Sequence, residues 1–160
     1  MRARVRLFIL LAFVCAGCGP TVDLTTGLQV EIVNTGWFDA GVVNGQNKLV
    51  PSVTFTLKNV SDQKLVALQV QALFRRLNEN DEWGNGFVTV VGSQGLAPGA
   101  TTPPITIRSQ LGYTGSDQSR QDMLQNSHFV DAKVELFAKY ASTQWARVGT
   151  WPITRQLLSK

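Results

Sequence analysis

The sequence predicts an all-β chain, a two-sheet antiparallel sandwich of the immunoglobulin-like kind with about seven strands and one short helix near residues 116–127. Three observations carry that expectation. Apolar and polar residues alternate over several short segments, the period-two signature of half-buried strands. These segments follow one another closely, and Gly, Pro, Asn and Asp punctuate the gaps. Helical periodicity is missing between most of them, which argues against parallel strands joined by crossover helices.

In chain order, Leu28, Val30 and Ile32 alternate with Gln29 and Glu31, and the run is expected to end at the turn-like Asn34-Thr35-Gly36. Val53, Phe55 and Leu57 form the clearest half-buried strand, and residues 59–64 turn it around. The next strand spans residues 64–77, with Val66, Leu68, Val70, Ala72 and Phe74 facing one side. A helix over residues 63–77 fits some of the same positions, but the unbroken alternation favours a strand. Polar residues 78–86 then predict a hairpin that returns through Phe87 to Val91. Gly and Pro between residues 92 and 104 exclude a central strand there, and Ile105 and Ile107 open a short one. Ser116 or Asp117 is placed to cap a helix through Met123 and Leu124. Val130, Ala132, Val134, Leu136, Ala138 and Tyr140 then face inward, and residues 145–154 close the sheet with Pro152 at an edge.

A chain of 160 residues suits one domain. Its 44% hydrophobic and 16% charged residues describe a chain that folds around a core. The net charge of +4 is misleading, because Arg2, Arg4 and Arg6 lie at the extreme N-terminus. Taking those three from the fifteen basic residues leaves twelve against eleven acidic ones, a net of +1, too little to gather a nucleic acid.

After the three arginines comes an apolar run from Leu7 to Val14, too short to span a membrane but suited to an export signal. The run exits through Cys15-Ala16-Gly17-Cys18, which resembles the lipobox of bacterial lipoproteins. That resemblance implies a signal peptide over residues 1–17, cleavage before Cys18, and acylation of Cys18 as the new N-terminus. Several chains together anchor stably, since each buried methylene contributes about 0.8 kcal/mol and one chain alone binds marginally. Gly19 in place of Asp implies sorting to an outer membrane, facing the periplasm. Residues 18–27 then read as a lipidated cysteine and flexible tether, and residues 28–160 as the sandwich. Both cysteines belong to the leader region, so no disulfide is expected to staple the domain.

From Val53 to Arg108 the strand "VTFTLKN", the turn "VSDQKL", the strand "VALQVQALF" and the later "GLAPG" resemble the small envelope sandwich domains called FxLYD and LEA14-like. Such domains mostly bind or pack rather than catalyse, so the resemblance implies a non-enzymatic role and no cofactor.

His128 is the single histidine. A triad with Ser127 and Asp131 fails on geometry, because strand positions three apart point to opposite faces. Asn78, Asn80, Asp81 and Glu82 lack the spacing of a calcium loop and read as a solvated hairpin tip. Arg75 and Arg76 beside Glu79, Asp81 and Glu82 read as mutually screened surface charge. Trp37, Phe38 and Trp83 are the binding candidates, since Trp37 and Trp83 fall in expected turns where an aromatic can seat a partner. The competing reading folds them back to cap the sandwich. The expected function is a lipid-anchored, non-catalytic envelope lipoprotein whose domain binds or supports another envelope protein through loops, or through an edge offered by residues 64–77 or 129–140. Recognition of a glycan or peptidoglycan by loop tryptophans is the alternative. No small-molecule substrate and no metal are indicated.

Overall fold

The computed structural model describes residues 21–158. The leader and Cys18 lie outside the described residues. In chain order the elements are α1 (Leu24–Gly27), β1 (Leu28–Val43), β2 (Gln46–Asn59), β3 (Leu68–Arg76), β4 (Gly84–Val91), β5 (Ile105–Arg108), β6 (Tyr113–Gly115), α2 (Arg120–Gln125), β7 (Ala132–Lys139), β8 (Ala146–Pro152) and β9 (Leu157–Leu158). One sheet runs β5-β2-β1-β9, with β6 also paired to β2, and the other runs β4-β3-β7-β8. The chain is the expected all-β two-sheet sandwich. Its pairings are antiparallel except for β9, which lies parallel to β1.

The alternation read from the sequence selects the inner faces. Val53, Phe55 and Leu57 on β2, Leu68, Val70, Ala72 and Phe74 on β3, and Ala132, Val134, Leu136 and Ala138 on β7 are all buried. Burial of one such Val, Leu or Phe side chain contributes about 1.5–3 kcal/mol, so these alternating rows hold the sheets together. Val130 departs from the expected pattern and is exposed, because β7 begins only at Ala132.

Four local expectations are corrected. The first strand does not stop at Asn34-Thr35-Gly36 but continues to Val43, and the turn falls at Asn44-Gly45, with φ of 51° and 78°. Positive φ at both central residues is what a two-residue hairpin of right-handed twist requires. The strand placed at residues 64–77 starts at Leu68, because Ala67 has φ 49° and reverses the alternation; Leu65 and Leu68 are thereby both buried. The short helix is capped by Ser119, whose hydroxyl accepts from Asp122 N, rather than by Ser116 or Asp117. Within the stretch expected to be a tether, Leu24–Gly27 forms a helical turn capped by Asp23, and Leu24 is buried.

The edge expected for strand addition is also corrected. β3 and β7 are the two central strands of their sheet, with their backbone groups paired on both sides, so neither offers an edge.

Loop hydrogen bonds define two opposite ends. At the N-terminal end Val22 N donates to Tyr140 Oη at 2.6 Å, Val60 N to Gly27 O, Ala67 N to Gly92 O and Ala141 N to Val66 O. At the distal end the β1–β2 hairpin, the β3–β4 loop and residues 109–131 converge; Asn47 Nδ2 donates to Gln118 O and Leu77 N to Asp131 O.

Candidate functional site

Trp37 is the centre of the distal half, not a loop residue. It sits within β1 opposite Pro51 and is fully buried. Its ring meets Trp83 at 6.1 Å, Tyr113 at 5.6 Å and Phe129 at 4.6 Å, the last edge-on. The two expected binding tryptophans are therefore brought together, but inward, and Trp37 has no surface to present to a partner. Trp83 is half-buried at the end of the β3–β4 loop with the Arg76 guanidinium 5.3 Å from its ring. Desolvation opposes the Arg76 charge, yet Glu79 and Tyr113 support it and the net shift raises its pKa. Phe38 points to the opposite face of β1 and lies half-buried under Arg108, whose guanidinium is 3.6 Å from the ring.

Tyr113 and Phe129, 4.7 Å apart, extend the aromatic cluster outward and with Met123 form the floor of a cleft of about 290 Å³. Ser116, Gln118, Asn126 and His128 form its polar rim. Sequence and topology both build this place. β6 brings Tyr113 to β2 opposite Leu49, and the Ser119 cap starts α2 so that Met123 and Leu124 face inward. Arg155 locks the underside: it donates to Asp131 at 2.5 Å, to Phe129 O at 2.8 Å and to Leu124 O at 3.3 Å. A planar guanidinium suits three acceptors from different segments in a way that a single ammonium does not.

The arrangement can seat an apolar group and hydrogen-bond its edges, the usual anatomy of a small recognition site. His128 is exposed at the rim, where its backbone N–H donates to Asn126 Oδ1 at 2.9 Å, while the Asp131 carboxylate is held by Arg155. Ser127, His128 and Asp131 are thus not joined as a triad. Around the β3–β4 loop, Glu79 pairs with Arg76, Glu82 accepts from Asn85 at 2.5 Å, and the Asn80 carbonyl accepts from Arg75. Tyr113, Met123 and Phe129 were not singled out by sequence reasoning, because their convergence depends on a three-residue strand paired to β2 across more than sixty positions.

The remaining tryptophans are distributed unevenly. Trp151 packs against the core, and Trp145 is exposed beside Phe87 on the outer face of the four-stranded sheet. Among the described residues the tryptophans therefore do not line up as one exposed row that a glycan could stack on.

No family model matches the sequence, and no curated protein does either. Among solved structures, the chain is similar to the X-ray structure of Northeast Structural Genomics Consortium target SoR45, with a TM-score of 0.47 and 14% identity over 82% of this chain and 89% of that one.

Proposed function

We propose that this chain is a lipid-anchored, non-catalytic protein of the bacterial cell envelope, held at the outer membrane by Cys18, whose sandwich binds or supports another envelope protein. The observation that carries the reading is the polarity of the domain. Thr21, the first described residue, lies at one end of the sandwich, and the aromatic-floored cleft opens at the other. An anchor at Cys18 leaves that distal cleft facing away from the membrane, where a protein partner can reach it. The leader and the Cys15-Ala16-Gly17-Cys18 exit support the anchor. The aromatic floor with its polar rim supports a binding role, since such contacts concentrate affinity in a few rings.

Two measurements test the proposal. Mass spectrometry of membrane-extracted protein is expected to find an acylated N-terminal Cys18. Crosslinking in intact cells is then expected to join the wild-type domain to a discrete envelope protein. Filling the cleft with Gln118→Trp, or removing a rim donor with His128→Ala, should lose that crosslink while the fold is kept. An unmodified Cys18 sinks the anchor, and a crosslink pattern indifferent to both substitutions sinks the cleft.

A further inference from the structure

The outer face of the four-stranded sheet carries an aromatic pair that the core does not use. Phe87 on β4 is 57% exposed, and Trp145, in the turn before β8, is 37% exposed. Their ring centroids lie 6.2 Å apart, edge to face, and Lys139 Nζ sits 5.0 Å from the Trp145 ring. Strand register places Phe87 in line with Gln71 and Phe137 across β3 and β7, so two rings bracket an amide in one cross-strand row beside the Trp145–Lys139 pair. Large exposed rings set side by side mark a surface that meets something other than water.

Position selects the occupant. Residues 21–24 and residues 142–144 with Ala146 line one groove, so the start of the described chain lies beside the turn that carries Trp145. Val22 and Leu24 fix that start to the fold through the Tyr140 hydroxyl and the core. Cys18 is three residues upstream of Thr21, and three residues reach at most about 11 Å. Acyl chains on Cys18 would therefore hold the end of the sandwich that carries the Trp145 turn close to the lipid headgroups. Indole is suited to that depth, with an apolar body for the acyl boundary and an N–H for the headgroups, and an adjacent lysine reaches phosphate.

We infer that Phe87, Trp145 and Lys139 form a second membrane contact, seating the sandwich against the bilayer surface beside its anchor. This rests on the lipidation of Cys18 proposed above. The test uses the mature acylated protein on vesicles of phosphatidylethanolamine and phosphatidylglycerol, some of the lipids brominated near the headgroup end of their chains. Flotation reports the anchor, and quenching of tryptophan emission reports the contact. The protein is expected to float, and the brominated lipids to quench a part of its emission that disappears in Trp145→Phe and persists in Trp151→Phe. Phe87→Gln is expected to weaken the quenching with an unchanged circular dichroism spectrum. Protein that floats with quenching identical in Trp145→Phe overturns the contact and leaves the anchor standing. Protein that does not float and carries an unmodified Cys18 thiol overturns both. Shielding of Trp145 from aqueous iodide by soluble peptidoglycan fragments, but not by vesicles, assigns the patch to a glycan and overturns the membrane contact.

Discussion

Asn59 shows how one polar side chain organises the N-terminal end of the sandwich. It is fully buried at the end of β2, and its Nδ2 donates to Gln63 O at 2.7 Å and Leu96 O at 2.9 Å. Its Oδ1 accepts from Ser61 N at 3.0 Å and Ser61 Oγ at 2.7 Å. Two loops distant in sequence are thereby clasped by one amide. Asn59→Ala is expected to cost about 2–3 kcal/mol in chemical denaturation, because buried carbonyls lose their donors. Asn59→Asp should be worse still, since it keeps the acceptor but loses both donor bonds and buries a charge. Equal stability of the Asp and Asn forms would show that these contacts are not the clasp. In sequence, Asn59 was visible only as the opening of a turn. Trp37 was similarly misplaced: Asn34-Thr35-Gly36 has the composition of a turn, but composition cannot register that Thr35 and Gly36 are buried against the segment leading into β9, where Trp37 N donates to Gln156 O at 2.8 Å. The better local signal was Asn44-Gly45, the residue pair that tolerates positive φ at both turn positions.

At the scale of elements, strands with one buried face were legible, because alternation is enforced by the core itself; β3 from Leu68 to Arg75, β7 throughout and β2 from Val53 to Asn59 show it. Elements held by contacts far along the chain were not. β6 is three residues long, β9 is two, and neither carries enough pattern to be recognised without its partner. Gly112 shows what fixes β6 in place. A Cβ there would lie 1.9 Å from the Leu49 carbonyl oxygen, which is backbone and cannot swing aside. Gly112→Ala is therefore expected to cost about 1–3 kcal/mol as overpacking, and to change the near-ultraviolet spectrum by shifting Tyr113 against Trp37 and Trp83. Gly92→Ala makes the matched control, because nothing lies within 4 Å of its added carbon. Similar unfolding midpoints for the two variants would remove the close approach as the determinant of β6 and of the cleft above it.

For the whole molecule, the two ends and the exposed face combine into a prediction about orientation. β1 has 16 residues, and at about 3.3 Å per residue it runs roughly 50 Å from the N-terminal end to the distal hairpin. A domain held only by acyl chains on Cys18 samples upright positions, with the hairpin up to that distance from the bilayer. The proposed contact through Phe87, Trp145 and Lys139, which lie toward the outer face of the four-stranded sheet, would instead tilt the long axis toward the membrane. Height then becomes measurable. Val42 is exposed on the hairpin, and the proposed cleavage before Cys18 with acylation of that residue would leave no other free thiol, so Val42→Cys would accept a single dye. Energy transfer from that dye to acceptor lipids is expected to be efficient in the otherwise wild-type protein and to fall when Phe87→Gln and Trp145→Gln are combined, while flotation is unchanged. Transfer that stays the same with the patch removed would mean that the tilt is set elsewhere, and the cleft would then stand at a height fixed by the anchor alone.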